Sequence, residues 1–125
     1  MRRYAAKQDN KDANHDEIVD QLRGRGFYVL EIERPVDIAV HYRGWTGLCE
    51  IKAGTSGDVY YRGQLETAAF TPMPFAFVTS ANEAVEFATK GRGLTEKQRE
   101  RIALALIAEP KRVKWTSAMM RKLLT

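Results

Sequence analysis

The 125-residue chain is poor in the residues that build disulfide and zinc frameworks, with one Cys, two His and four Pro. Cys49 has no second cysteine to pair with, so an internal disulfide is excluded and a reducing, cytoplasmic setting is expected. One Cys and two His do not complete a closed zinc site. No apolar run approaches the roughly 20 residues of a membrane-spanning helix. The amino end, Met1-Arg2-Arg3, is polar and basic, unlike a secretory leader. The glycine-bearing stretch 53–61 lacks the Gly-Lys-Ser/Thr ending of a phosphate-binding P-loop. With neither His15 nor His41 beside an evident nucleophile, and Cys49 on an expected core face, covalent catalysis has no carrier.

What is present is an ordinary apolar fraction, 44%, in a length that suits one domain with room for an appendage. Charge is distributed unevenly. From Lys90 onward ten Lys/Arg face three Glu, a balance of +7, which leaves −3 for the rest of a chain whose net charge is +4. A basic segment beside an acidic body suits a polyanion, although a solvated helix surface gives the same composition.

The most telling residues are charges set inside apolar runs. Pro35-Val36-Asp37 is followed, twelve residues on, by Glu50-Ile51-Lys52. Both segments read as strands by alternation and β-branched content. Val36, Ile38 and Val40 fall on one face and Asp37, Ala39 and His41 on the other; Cys49 and Ile51 fall on the core face, and Leu48, Glu50 and Lys52 opposite. Residues 43–47 form the expected hairpin connection, so antiparallel pairing brings Asp37 and Glu50 together. Two carboxylates that close repel unless a divalent cation lies between them. A half-solvated hairpin with its charges in water is the plainer alternative.

Around these strands the sequence predicts a helix over 13–25, with Asn14 and Glu17 as a capping box and Ile18, Val19 and Leu22 as its apolar stripe. His15, in the capping turn, is expected to be solvated. A strand over 27–32 is apolar on both faces and therefore expected to be central, forming a first hairpin with the next strand. Residues 53–61 read as a flexible loop. A helix from Gln64 to Phe70 is ended by Pro72 and Pro74. A parallel strand follows at 75–79, then a helix from 82 to 88 with Ser80 and Glu83 as its cap, a linker at 91–93, a helix opened by Thr95 and Gln98 and running to Ala108, and a last helix over 117–124.

Asp12 to Val19, Leu22-Arg23, Gly26 to Val29, Pro35-Val36-Asp37, Glu50-Ile51-Lys52, Gln64, the strand at 75–78 and the helix at 82–88 form an ordered set. That set resembles the PD-(D/E)XK nuclease superfamily, in particular its small VRR-Nuc-like and Holliday-junction-resolvase-like members. The resemblance covers about residues 12 to 89 and departs from the eponymous motif only in placing Val36 between Pro35 and Asp37. It implies an α/β fold, an α+β sandwich with a restriction-endonuclease-like mixed β-sheet flanked by helices and an added C-terminal helical segment. The layout is then a flexible tail over 1–11, where Arg2 and Arg3 could brush a phosphate backbone, a nuclease-like core over 12–89, and a basic helical extension over 90–125.

The function implied is a Mg²⁺- or Mn²⁺-dependent endonuclease that hydrolyses DNA phosphodiester bonds, resolvase-like and selective for branched DNA. Asp37, Glu50, the backbone carbonyl of Ile51 and Glu17 would hold the metal, Lys52 would stabilise developing charge, and Gln64 would orient the lysine, a water or a phosphate. Attack in line leaves a 5′-phosphate and a 3′-hydroxyl. Tyr61, Arg62, Lys90, Arg92, Lys111, Arg112 and Lys114 are the candidate nucleic-acid contacts. A homodimer, no small-molecule cofactor beyond the metal, no membrane, and a phage or mobile-element setting complete the expectation. A non-catalytic DNA-binding protein on the same fold and an RNA-directed nuclease are the alternatives.

Overall fold

The structure, a computed structural model, describes residues 14–125. The expected tail over 1–11, with Arg2 and Arg3, lies outside the described residues. The elements run α1 (His15–Gly24), β1 (Tyr28–Glu31), β2 (Ile38–Tyr42), β3 (Trp45–Ile51), β4 (Val59–Tyr61), α2 (Arg62–Phe70), β5 (Phe75–Val78), α3 (Ala81–Lys90), α4 (Glu96–Ala108), β6 (Lys114–Thr116) and α5 (Ser117–Leu124). No helix among the described residues is long and apolar enough to cross a membrane.

Four strands form a mixed sheet in the order β1-β2-β3-β5; β1–β2 and β2–β3 are antiparallel, β3–β5 parallel. The β2–β3 turn falls on Arg43 and Gly44, whose φ values of 50° and 81° are the paired left-handed conformation a tight hairpin demands. The parallel step to β5 needs a crossover, which α2 supplies. The chain is therefore a mixed α/β protein with helices on both faces of one sheet.

Alternation divides two cores between those faces. Ile38, Val40, Cys49, Ile51, Ala76 and Val78 pack with Ile18, Val19 and Leu22 of α1 and Ala84, Phe87 and Ala88 of α3. On the other face Leu48, Phe75 and Phe77 pack with Leu65 and Ala68 of α2, Ile102 and Leu106 of α4, Trp115 and Met120. The C-terminal segment thus contributes half of the second core. It is also not wholly helical, because β6 pairs antiparallel with β4, Tyr60 opposite Trp115.

Several expectations need correction. β1 lies at the sheet edge, not its centre: only Val29 is buried, and Tyr28 and Leu30 are exposed because the second helical layer reaches β3 and β5 alone. Val36 packs in the second core, apart from Ile38 and Val40, because the strand starts only at Ile38, after a bend. Residues 53–61 are not a plain flexible loop. They contain β4, and the Asp58 carboxylate accepts the backbone N–H groups of Ala53, Gly54 and Thr55 at 3.2, 2.8 and 3.2 Å. The Asn14 side chain makes no capping bond to α1; its Nδ2 instead donates to the carbonyls of Lys52 (3.2 Å) and Thr79 (2.8 Å), tying the ends of β3 and β5. The Thr95–Gln98 box forms as expected. Ser80 accepts from the Glu83 N–H, while the Glu83 carboxylate binds Thr79, one residue earlier than the box predicts.

Candidate active site

Asp37 closes the bend into β2. Its backbone carbonyl accepts the N–H groups of Ile32 at 2.8 Å and Glu33 at 3.2 Å. Within this bend Glu33 has a left-handed φ of 73° and the Arg34–Pro35 peptide is cis. The β2–β3 ladder begins at the pair Ile38–Cys49. One step beyond it, Asp37 Oδ2 takes the place of a ladder partner and accepts the Ile51 N–H at 2.8 Å. A strand residue presents its N–H and C=O to the same side, so the Ile51 carbonyl faces Asp37 as well. Asp37 thus holds the backbone N–H of the residue next to Glu50, and both Asp37 and Glu50 are buried.

Glu50, Lys52 and Gln64 form a closed polar group. Gln64 is the third residue of α2 and its Oε1 accepts the Tyr61 N–H at 3.0 Å, so the helix start fixes the amide. The same Oε1 accepts Lys52 Nζ at 3.0 Å, and Nε2 donates to Glu50 Oε2 at 2.6 Å. The reverse amide orientation would set an NH₂ group against an ammonium and a backbone N–H, both donors, so the network determines it. Lys52 Nζ also donates to the Val59 carbonyl at 2.7 Å, lies 3.5 Å from Glu50 Oε2, and sits 4.8 Å from the centre of the Tyr60 ring. Of three ammonium hydrogens, two go to Val59 and Gln64; the third is left for Glu50 or for an incoming oxygen.

Negative charge accumulates here, as the neighbouring thiol records. Burial first, then the charges of Asp37 and Glu50, push the Cys49 thiol well above its ordinary range. Two carboxylates and a carbonyl are hard oxygen donors of the kind Mg²⁺ and Mn²⁺ take, so the residues present fit the implied metal.

The first helix contributes differently from expectation. His15 is 2% exposed. Its Nδ1 lies 3.7 Å from Asp37 Oδ1 and its Nε2 3.2 Å from Glu31 Oε1. His15, Ile18, Val19 and Leu22 share one helical face, so the 3.6-residue period that marked the apolar stripe was the signal that places this histidine inward. Glu17 is exposed; its carboxylate accepts from Gln21 at 3.1 Å and lines a cavity of about 210 Å³ with Asn14, Arg25, Thr79 and Asn82. His15, Asp16 and Glu31 have ligand atoms within 4.8 Å of one another, a mixed nitrogen–oxygen set that could hold a metal ion.

The candidate nucleic-acid residues separate into two groups. Arg62 turns inward: its guanidinium donates to the carbonyls of Arg112 (2.7 Å), Leu106 (3.4 Å) and Glu109, and lies 5.3 Å from the Trp115 ring centre. Arg112 pairs with Glu109 at 2.9 Å and flanks the same ring at 5.8 Å. Arg92 lies 3.9 Å from Glu86. Tyr61, Lys90, Lys111 and Lys114 are exposed, Tyr61 and Lys114 opposite each other in the β4–β6 register. His41 is bonded to Thr46 at 2.7 Å, four residues along the strand from Asp37. Comparison with protein-family models, with curated proteins and with solved structures finds no match to this chain.

Proposed function

We propose that this chain is a metal-dependent endonuclease of the restriction-endonuclease-like fold that hydrolyses DNA phosphodiester bonds, acts as a homodimer and prefers branched substrates. The observation that carries the reading is the closed Glu50–Gln64–Lys52 group beside Asp37. Burying three ionic groups with a bridging amide is costly, and such a cost at one end of two strands supports a functional reading.

Asp37, Glu50 and the Ile51 carbonyl would hold Mg²⁺ or Mn²⁺. When bound, the ion neutralises phosphate charge and makes water a stronger nucleophile. Lys52 keeps a positive charge fixed where charge builds on the phosphate oxygens, with its third hydrogen available to them. Gln64 holds both Lys52 and Glu50 in position. His15 Nδ1 lies 3.7 Å from Asp37 Oδ1, too far for a hydrogen bond, and the buried imidazole is a neighbour of that carboxylate. Glu17 remains a candidate for an outer contact to the metal through water. Tyr61 and Lys114 supply a stacking face and a phosphate contact side by side, and Lys90, Arg92, Lys111 and Arg112 remain candidate backbone contacts, whereas Arg62 is taken up inside the fold.

The test is cleavage of a labelled four-way junction, a flap, a linear duplex, single-stranded DNA and RNA with Mg²⁺, Mn²⁺ or EDTA, using wild type, Asp37→Ala and Lys52→Ala. Metal-dependent cutting of DNA by wild type, lost by about 10²-fold or more in each variant, is expected. Binding without cutting under every metal condition would overturn the reading in favour of a non-catalytic DNA-binding protein. EDTA-resistant cutting of RNA would overturn it in favour of a metal-independent ribonuclease.

A further inference from the structure

We infer that the two-stranded β4–β6 ribbon holds the Lys52 ammonium in place, with Tyr60 as the positioning residue and β6 as its backing. The inference deepens the nuclease reading and rests on it for its catalytic meaning.

Lys52 follows the last residue of β3, and its flexible side chain loses rotamer entropy when it is fixed. Of the groups that fix it, the Val59 carbonyl and the Tyr60 ring both belong to β4. β4 has only three residues, and an isolated two-stranded ribbon is marginal in water. Its strand partner is β6, which places Trp115 opposite Tyr60. Trp115 is nearly fully buried and is flanked by the Arg62 and Arg112 guanidiniums. Arg62 fastens the approach to β6 by bonding three carbonyls between Leu106 and Arg112, and its own N–H reaches the Val113 carbonyl at 3.0 Å.

The Tyr60 ring is steered as well as packed. It meets Phe77 of β5 edge to face, with centroids 5.0 Å apart and planes at 79°. That contact sets the ring plane while a cation sits 4.8 Å from its centre. Cation–π attraction in a desolvated site is strong enough to choose one ammonium position over others. The ribbon's inner residues therefore aim the lysine, while Tyr61 and Lys114, one residue along each strand, alternate outward. A segment that the sequence presents as a basic appendage is instead part of what defines the lysine's position.

The experiment compares wild type, Tyr60→Leu and Tyr60→Phe by two readouts. The first is the rate at which an amine-acylating reagent modifies Lys52 in metal-free, DNA-free protein, measured by mass spectrometry against exposed Lys90 and Lys111 as internal standards. The second is kcat and KM for the preferred DNA substrate. Tyr60→Leu is expected to raise acylation of Lys52 at least tenfold and lower kcat at least tenfold with KM changed less than twofold. Tyr60→Phe, which keeps the ring face, is expected to restore protection and most of the turnover. Urea unfolding verifies that the leucine variant is folded; if it is not, Tyr60→Met, longer, more adaptable and without a π face, takes its place. Unchanged acylation and kcat in a folded Leu or Met variant overturns the inference, as does Tyr60→Phe behaving like Leu. Raised acylation together with a wild type that cuts nothing leaves the ribbon's hold on Lys52 standing and removes only the nuclease reading.

Discussion

Lys52 and Glu50 are buried ions two residues apart on one strand edge, and each is tolerable because the other and Gln64 are there. Removing one member leaves a buried charge without its counterion, which costs about 3–5 kcal/mol. Lys52→Met is expected to lose stability on that scale in urea unfolding, and adding Glu50→Gln to recover a substantial part of it, since the second change removes the stranded charge. Mn²⁺ is expected to raise the Tm of wild type and not that of Asp37→Asn, measured by thermal scans at saturating metal. Cys49 gives a second test at this scale. Because the thiol is raised in the folded state, its contribution to stability is complete below about pH 8.5 and falls as pH rises beyond that, where only the unfolded chain ionises. Native protein should leave thiol reagents unreacted at neutral pH, and Cys49→Ala should flatten the alkaline part of the stability profile. Asp37, Glu50 and Lys52 could be picked from the sequence because charges in apolar runs stand out, whereas Gln64 reads as an ordinary helix residue and is marked only through the resemblance. His15 was harder to see, since a histidine beside Asp16 and Glu17 reads as part of a polar turn, and only its place on the stripe with Ile18 and Leu22 shows where it goes.

At the level of elements, local signals were legible wherever the interaction was local. The Thr95–Gln98 cap and the helix break at Pro72 operate within a few residues, whereas the connection expected over 43–47 is a two-residue turn at Arg43–Gly44, with Trp45, Thr46 and Gly47 already paired in β3. β4 was not legible, because a three-residue strand carries no period, and its partner Lys114–Thr116 lies more than fifty residues further on. The edge position of β1 was also hidden, since apolar residues on both faces suggest burial, whereas among the described residues no helix covers Tyr28 and Leu30. The knot at Asp58 yields a prediction. Asp58→Ala deletes the acceptor of three backbone N–H groups. The expected cost is about 2 kcal/mol. Amide exchange should quicken first at Ala53, Gly54 and Thr55, ahead of the β2–β3 ladder. Exchange that speeds up equally throughout the sheet would show that the loop has no local stability of its own.

For the molecule as a whole, the two cores share one sheet but draw on different parts of the chain. The first is complete by Ala88; the second needs Ile102, Leu106, Trp115 and Met120. A chain ending at Lys90 is expected to leave Leu65, Phe75 and Phe77 uncovered, bind a hydrophobic dye and unfold without a sharp transition, while full-length protein unfolds cooperatively. Gly93 marks the seam. A Cβ there would lie 2.6 Å from the Phe75 carbonyl, against the backbone that receives the Leu94 N–H at 2.8 Å. Gly93→Ala should therefore cost about 1–3 kcal/mol.

The strand that backs Tyr60 is synthesised more than fifty residues after the strand it supports. Until Lys114–Thr116 has left the ribosome, β4 has no strand to pair with, and the Lys52 ammonium lacks the ordered carbonyl and ring that hold it. The earlier residues can fold around α1 and α3 in the meantime, because their core is already present. A chain still being made would thus carry Asp37, Glu50, Lys52 and Gln64 without a finished centre, and would gain it only when Lys114–Thr116 docks.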